Sequence, residues 1–232
     1  KAIAAASEWK GYAVKLLDRE NALRDDRMKI ETSLAERRSK FQEDLIVIMN
    51  KVGKCKDKGS IRNIEDNLEQ LNEIKKALGE AEKTMNDIHE KEILLGWDET
   101  DFDLFDEATN GLEPYMKLWT MVADHQKANA KWLKNPLFSG DMDPEQIQSE
   151  VQAMWRTAMK LKAQFDQDGH PKPAKVADKV KTDLDQFKEH VPLLHALCNP
   201  GLRERHWKEI SSIVGFALEP DTSFNLQKMI DM

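Results

Sequence analysis

The stretch that decides the fold is Ile61–Ile88, IRNIEDNLEQLNEIKKALGEAEKTMNDI. Its apolar residues recur three or four positions apart, a spacing that puts them all on one face of an α-helix. They are Ile61, Ile64, Leu68, Leu71, Ile74, Leu78, Ala81, Met85 and Ile88. Because charged and polar residues fill most other positions, the stretch predicts a long amphipathic helix with one face against a core.

The preceding residues, 1–52, predict a second long helix. Its apolar residues lie three, four or seven apart, at Leu23, Ile30, Leu34, Phe41, Leu45, Ile48 and Val52. Arg27 and Arg37 interrupt this stripe, so it is not a clean coiled-coil seam. Gly53–Gly59 breaks the helix and Ser60 is the expected N-cap of the next, so the two helices form an αα-hairpin. Half of the hairpin's apolar stripe would remain exposed, and the helices after residue 100 are the nearest candidates to cover it.

Two more helices are expected between residues 96 and 167. Thr100 with Asp103 approximates a capping box, and Gly111 and Pro114 should interrupt the chain before a helix over about 114–134. The next start signal is stronger: it is an aspartate N-cap, a proline at the first helical position and a glutamine three residues after the cap. These are Asp143, Pro144 and Gln146, and the helix should run to about Gln167.

The last third of the chain contains the clearest loop-like segment, Gly169–Pro173, which could act as a joint. A helix is expected from about Ala174, with a kink near its end at Pro192. The remaining signals are a turn at Asn199-Pro200-Gly201, a helix that Gly215 ends after Val214, and one more helix capped by Ser223. No segment predicts a strand. The fold class is therefore all-α, with elongated bundles of long amphipathic helices and a long N-terminal αα-hairpin.

Composition supports this fold class and narrows the function. Among 232 residues, 10 glycines and 8 prolines are too few for a sandwich or barrel of many short strands. The net charge of −7 argues against nucleic-acid binding, and no apolar run approaches the ~20 residues of a membrane span. Cys55 and Cys198 form neither a disulfide framework nor a zinc motif, which fits a reducing, intracellular compartment. From Lys1 and Met232 we expect a piece of a longer chain.

The sequence contains no spaced set of catalytic or metal-binding residues. Gly53–Ser60 resembles a phosphate loop, but five residues separate its glycines and no lysine follows Gly59, so a solvated basic turn is expected. None of the histidines has the spacing of a metal pair, and the acidic tract at 98–107 lacks the glycine of a calcium loop, with Phe102 and Phe105 expected in the core. The tryptophans are expected to pack in the core too: Trp9, Trp97, Trp119, Trp132, Trp155 and Trp207.

Residues 198–216 are the most distinctive part of the chain, with CNPGLRERHWKEI at 198–210 and IVGF at 213–216. The first stretch resembles the Asn-Pro-x-Leu-Arg-x-Arg-His-Trp turn and helix that dynein heavy chains carry just ahead of the motor. The upstream pattern is similar in order and spacing, through Glu92-Ile93-Leu94, Trp97, Pro114-Tyr115, Leu118-Trp119, Trp132, Pro136, Trp155, Phe187-Lys188, Pro192-Leu193-Leu194 and Leu197. The resemblance covers residues 88–232, and its ending looks more axonemal than cytoplasmic. Residues 1–87 match only as generic amphipathic helix.

The resemblance implies a parent chain that hydrolyses ATP, with Mg²⁺, in an AAA+ ring beyond Met232, and a linker that delivers force to the tail. It implies distal tail at 1–95, a tail-to-linker bundle at 96–170 and the start of the linker at 171–232, with no catalytic residue, cofactor or metal of their own. The implied partners are the AAA+ ring of the same heavy chain and dynein intermediate or light chains, with microtubules only indirectly and neither nucleic acid nor membrane. The implied location is the cytoplasm and cytoskeleton, in the axoneme of a cilium or flagellum.

The motif residues are expected to be structural: Asn199, Pro200, Arg203, Arg205, His206 and Trp207. Trp207 would be buried, with Arg205 and His206 satisfying the Asn199-Pro200 turn. A spectrin-like scaffold without a motor is the alternative, since the hairpin at 1–95 suits it equally well, whereas the motif at 199–207 favours the motor segment. An enzyme is the least favoured class because no catalytic set is present.

Overall fold

The computed structural model describes the backbone of residues 2–137, 142–215 and 224–231, and the side chains from Trp9 onward in these ranges. The helices are α1 Ala2–Gly53, α2 Ile64–Leu95, α3 Asp103–Lys134, α4 Pro144–Gln167, α5 Pro171–Lys188, α6 Val191–Leu197, α7 Glu204–Val214 and α8 Leu226–Asp231. Short 3₁₀ helices, Lys54–Asp57 and Ile61–Asn63, lie between α1 and α2. The described ranges contain no strand, only an isolated bridge between Pro136 and Asn225. The all-α prediction is confirmed, and none of the described helices could cross a membrane.

The chain divides into two compact units. Residues 1–52 and 74–110 form the first unit, and residues 53–73 and 111–232 form the second. The boundaries predicted after residues 95 and 170 separate the expected tail, the tail-to-linker bundle and the linker. They stay predictions.

The two long N-terminal helices are confirmed, but the buried part of α1 is shorter than its apolar stripe. The buried residues of α1 are Leu34, Phe41, Leu45, Ile48 and Val52. The expected burial of Leu23 and Ile30 is wrong, because their side chains are 67% and 54% exposed. The reason is geometric: α2 ends at Leu95, whose carbonyl accepts a hydrogen bond from Arg27 at 3.4 Å, so α1 continues past the end of its neighbour.

A buried carboxylate links α1, α2 and the segment that follows α2. Glu92 is 0% exposed and pairs with Arg38 Nε at 3.2 Å. The backbone N–H of Thr100 donates to Glu92 Oε2 at 2.9 Å, and the Thr100 hydroxyl donates to Oε1. The predicted capping box at Thr100 is therefore wrong: α3 begins only at Asp103, and Thr100 satisfies a carboxylate instead of a helix end.

The segment after residue 100 packs against the hairpin in the first unit. The sequence predicted that residues in this part of the chain would cover the exposed half of the hairpin's apolar stripe. Phe102 is buried with its ring edge-on to Phe41, the centroids 4.8 Å apart. The ring of His89 stacks on the other side of Phe102 at 5.7 Å. Phe105 is only half-buried, so Phe102 is the main anchor.

Helix α3 runs without interruption through Gly111 and Pro114, where the sequence predicted a break. Proline in a helix interior removes one backbone hydrogen bond and costs about 3 kcal/mol. That cost is offset because the apolar face continues across the proline with buried residues at helical spacing. They are Ala108, Leu112, Tyr115, Leu118, Trp119 and Val122.

Helix α4 starts as predicted. The Asp143 carboxylate accepts hydrogen bonds from the backbone N–H groups of Glu145 at 3.0 Å and Gln146 at 3.3 Å, with Pro144 in the first turn. The helix ends at Gln167, and Gly169 takes a left-handed conformation with φ 72° just after it. This conformation favours glycine because it lacks a Cβ.

The predicted loop Gly169–Pro173 is wrong in extent. Helix α5 already starts at Pro171, because a proline in the first helical turn lacks an N–H that would be unsatisfied there anyway. Both the backbone and the side chain of His170, in the short turn before α5, make contacts. Its N–H donates to the carbonyl of Phe165 at 2.8 Å, and its Nδ1 lies 3.0 Å from the hydroxyl of Tyr115.

Proline also starts a new helix further on, where a kink was predicted. Helix α5 ends at Lys188, and Pro192 lies in the first turn of α6. Ser223, the predicted cap of the last helix, lies outside the described residues. The side chain of Asn225 caps α8 by accepting from the N–H of Lys228 at 2.9 Å.

The tryptophans are not all in the core. Trp119, Trp132 and Trp207 are buried, and Trp132 packs on Phe187 with centroids 4.7 Å apart. Trp97 and Trp155 are half-buried, and Lys188 Nζ lies 3.9 Å from the Trp155 ring centroid. The prediction is wrong for Trp9, which is 75% exposed because it lies on the part of α1 that no described element covers.

His125 makes stability depend on pH. It is 7% exposed on α3, and burial lowers its pKa, with Asp183 opposing and Lys179 reinforcing that shift. Below pH ~6.5, the usual histidine pKa, the unfolded chain takes up a proton that the folded chain resists. We therefore expect this residue to lower the free energy of unfolding as the pH falls, by up to about 1.4 kcal/mol at pH 5.5.

Urea unfolding at pH 7.5 and 5.5 tests this prediction. His125→Gln should lose part of the pH dependence, whereas His195→Gln, at an exposed position, should retain it. An equal pH dependence in the His125→Gln variant and the parent would contradict the assignment.

Candidate functional site

The turn after α6 is held by its own first residue. Asn199 Oδ1 accepts a hydrogen bond from the N–H of Gly201 at 2.8 Å, and the Asn199 carbonyl accepts from the N–H of Leu202 at 3.1 Å. An asparagine side chain that bonds to the backbone two residues on is an Asx turn, and Pro200 restricts the backbone between them. The turn therefore forms without help from α7.

Helix α7 is capped by a histidine from its own first turn. The N–H of Arg203 donates to His206 Nδ1 at 3.0 Å, while the N–H of His206 donates to the Arg203 carbonyl at 2.9 Å. Arg205 Nε lies 3.2 Å from His206 Nε2. A neutral imidazole carries one N–H and cannot accept at both nitrogens. We assign the accepting role to Nδ1, because that contact satisfies a backbone N–H at the start of the helix.

These contacts correct the expected roles of two motif residues. Arg205 and His206 do not satisfy the Asn199-Pro200 turn: the Asn199 side chain accepts from the N–H of Gly201, and His206 accepts from the N–H of Arg203. His206 is half-buried, while Asn199, Pro200, Arg203 and Arg205 are exposed on the surface of the turn.

Trp207 is the buried member of the motif, as predicted, at 6% exposed. Its ring meets Phe224 edge-on, with centroids 6.2 Å apart and an interplanar angle of 78°. The Phe224 carbonyl in turn accepts from the N–H of Leu137 at 2.9 Å, next to the bridge between Pro136 and Asn225. Trp207 and Phe224 thus link three segments: the residues just after α3, the start of α7 and the residues before α8.

Cys198 belongs to the same junction. Its Sγ lies 3.9 Å from the Leu137 carbonyl, and burial raises the pKa of its thiol. A raised pKa keeps the sulfur protonated and a poor nucleophile at neutral pH. Cys198 is therefore a packing residue with a weak S–H donor.

The outer side of the junction is an open groove of about 350 Å³. It is lined by Asn199, Gly201, Leu202, His206, Glu209, Ile210 and Ile213. Ile213 is 84% exposed, so α7 buries Trp207 on one face and presents a second, exposed apolar face to the groove. Such a surface suits a packed polypeptide segment.

The segment resembling a phosphate loop is an exposed basic turn, as expected, except that Cys55 is buried and Lys58 is half-buried. Lys54–Asp57 forms a 3₁₀ helix with Cys55 fully buried beneath it. Asp57 pairs with Lys172 Nζ at 3.0 Å, and the hydrogen bond from Lys172 lowers the pKa of Asp57. The loop is held against the start of α5, since a Cβ at Gly59 would lie only 3.0 Å from that of Lys172.

Across the ranges that the structure describes, no three His, Cys, Asp or Glu side chains come together in a group that could hold a metal ion. The sequence pattern indicates no structural role for Phe224 and Leu137, which complete the junction, and it marks Glu92 only as part of the resemblance. A buried glutamate leaves no periodic signal, because charged residues on helices ordinarily face water.

Comparison with known proteins agrees with the resemblance that the sequence motifs indicate. Residues 105–232 match the family described as dynein heavy chain, N-terminal region 2. Dynein axonemal heavy chain 3 of Mus musculus is 31% identical over 214 residues, which is 91% of this chain and 5% of that protein. Dynein axonemal heavy chain 1 of Mus musculus is 24% identical over 230 residues, 98% of this chain and 5% of that protein. Dynein axonemal heavy chain 12 of Homo sapiens is 22% identical over 207 residues, 88% of this chain and 7% of that protein. The chain thus spans a small fraction of the curated relatives that it matches.

Proposed function

Since this chain belongs to the dynein heavy chain family, whose N-terminal region 2 matches its residues 105–232, we propose that it is a non-catalytic segment that transmits force between a motor and its tail. The motor would be an AAA+ ring of the same heavy chain, outside these 232 residues, with ATP and Mg²⁺ bound there. The tail would be anchored in the axoneme of a cilium or flagellum, because the matched relatives are named axonemal heavy chains. Dynein intermediate or light chains are the other proposed partners.

The junction around Trp207 is the observation that carries this proposal. Close-packed contacts between segments that are distant in sequence have low compressibility, so they transmit strain from one segment to the next. Trp207, Phe224 and Leu137 join three such parts within the matched region. The exposed groove beside them offers a surface for another part of the motor.

The test is microtubule gliding by the full heavy chain with Trp207→Phe, which keeps an aromatic ring but leaves a gap beside Phe224. We expect gliding velocity to fall several-fold while the microtubule-stimulated ATPase rate changes less than about twofold. Lys160→Ala, at an exposed position on α4, is the matched control and should leave both rates unchanged. Equal gliding velocities for Trp207→Phe and the parent would argue against force transmission through the junction.

A scaffold role without a motor is favoured by one observation, the exposed apolar face of α1. Binding of partner helices along that face would proceed without ATP. A parent chain that binds its partners normally but neither glides microtubules nor hydrolyses ATP would support the scaffold.

A further inference from the structure

Ser60 presents an exposed hydroxyl outside any helix. It lies between the 3₁₀ helices Lys54–Asp57 and Ile61–Asn63, at the N-cap position that the sequence predicts, but its side chain makes no capping hydrogen bond. Among the serines and threonines of the described ranges, the one other residue outside a helix is Thr100, whose hydroxyl donates to the buried Glu92. In these ranges, Ser60 is therefore the non-helical hydroxyl that another molecule reaches.

The backbone at Ser60 is extended. Lys58 has φ −80° and ψ 113°, and Ser60 has φ −102° and ψ 114°. A protein kinase aligns the acceptor oxygen with the γ-phosphorus of ATP inside a cleft. An α-helix with its side chains is about 10–12 Å across, so a serine within one must unwind before it reaches that position. An extended segment enters the cleft without this step.

Weak backbone contacts hold the two sides of this turn. The N–H of Lys58 donates to the Cys55 carbonyl at 3.2 Å, and the N–H of Asn63 donates to the Ser60 carbonyl at 3.4 Å. Both distances are at or beyond the long end of the usual N–H···O range, and 3₁₀ hydrogen bonds have poorer geometry than those of an α-helix. The residues that flank Ser60 therefore open more readily than an α-helix does.

The exposed charges around Ser60 are mostly positive. Lys54 and Lys56 precede it and Arg62 follows it, and all three are exposed. Asp57 is the acidic residue of the turn, and Lys172 Nζ pairs with it at 3.0 Å. The turn is thus a basic patch in a chain of net charge −7. Complementary charge selects partners, so the patch suits a kinase whose substrate groove is acidic.

We propose that Ser60 is a phosphorylation site for a serine/threonine kinase that selects basic residues on both sides of its acceptor. The Ser60 Oγ bonds to the γ-phosphorus of ATP while its proton passes to the catalytic aspartate of the kinase. The bond from that phosphorus to the bridging oxygen breaks, and ADP leaves with the electron pair. The phosphate adds a charge of about −1.5 to −2 just before α2. Beyond the proposed function, this site gives the segment a regulatory input.

Ser39 is the matched control within the chain. It is exposed and directly follows Arg37 and Arg38, so local charge favours it as strongly as Ser60. It lies in the interior of α1, however, and the two arginines pair with carboxylates on α2 at 2.7 Å and 3.2 Å. Backbone conformation therefore selects Ser60 over Ser39.

Phosphorylation of the full heavy chain by the catalytic domain of protein kinase C, a basophilic kinase, with Mg²⁺ and ATP tests the proposal. Cleavage before aspartate releases the peptide 57–65, in which Ser60 is the only hydroxyl residue. Synthetic peptides 56–64 and 35–43, each with one serine, give the intrinsic preference of the kinase. We expect the ratio of the Ser60 rate to the Ser39 rate to be about tenfold higher in the heavy chain than in the peptides, because Ser39 must unwind from α1.

A double variant tests the role of charge. Lys56→Gln with Arg62→Gln should slow phosphorylation of Ser60 in the heavy chain about tenfold, whereas Lys160→Gln, at an exposed position on α4, should leave it unchanged. Equal Ser60 to Ser39 ratios in the heavy chain and the peptides, or a 57–65 peptide without phosphate, would overturn the proposal. So would an unchanged rate in the double variant, because the basic residues would then not guide the kinase.

Discussion

Replacing Glu92 by alanine lowers the free energy of unfolding of the first unit by about 1.5–3 kcal/mol, the range for a hydrogen bond to a charged group, because the Arg38 side chain stays 34% exposed to water. The carboxylate is fully buried, and both of its oxygens are used. Its removal leaves the Arg38 guanidinium without its partner and frees the backbone N–H of Thr100. The short connection between α2 and α3 then loses the group that holds it.

Thermal and urea unfolding of the purified chain measure this effect. Asp87→Ala is the matched control on the same helix, because Asp87 bonds Arg37 at 2.7 Å and Lys91 at 2.8 Å but is 40% exposed. Exposed pairs contribute about 0–1 kcal/mol, so Asp87→Ala should have a much smaller effect. Equal destabilisation by the two substitutions would show that the burial of Glu92 does not account for the loss of stability. Glu92→Gln separates charge from volume, since it retains the shape but weakens the bond to Arg38.

Trp207→Ala destabilises the C-terminal helices by about 3–5 kcal/mol, the usual cost of removing a large buried aromatic side chain. Trp207 is 6% exposed and lies edge-on to Phe224. The cavity left by the indole would open between α7 and the segment that precedes α8. Because that segment is tied to Leu137, loosening should reach the end of α3.

The free energy of unfolding of the Trp207→Ala variant, measured in urea, is compared with that of Ile213→Ala on the same helix. Ile213 is 84% exposed, so its truncation removes little buried surface and should change stability by less than about 0.5 kcal/mol. An unchanged unfolding curve for Trp207→Ala would mean that the indole makes no stabilising contact in the isolated chain and waits for a partner.

The helices and several of their ends could be predicted from local signals. The spacing of apolar residues in Ile61–Ile88 predicted α2, and the Asp143 cap predicted the start of α4 to the residue. Gly215 ends α7 as expected, with a left-handed φ of 83°. These signals work because a helix end needs nearby side chains to satisfy its free N–H and C=O groups.

Proline positions were the main source of wrong boundaries. Pro114 lies inside α3, whereas Pro171 and Pro192 lie in the first turns of α5 and α6. From the local sequence alone, a proline can indicate either the start of a helix or a break in one. Which of the two occurs depends on whether apolar packing continues across it, and that is a property of the neighbours in space.

The sequence by itself determined the all-helical class and the long hairpin, because periodicity and caps act within a few residues along the chain. The burial of Trp207 was expected from the resemblance to dynein heavy chains. Only the tertiary structure decided that Glu92 is buried and that Phe224 packs on Trp207. It also decided where the stripe of α1 becomes bare, because α2 ends at Leu95 while α1 extends further. Burial depends on which segments meet in space, and the pattern of one helix does not contain the length of its neighbour.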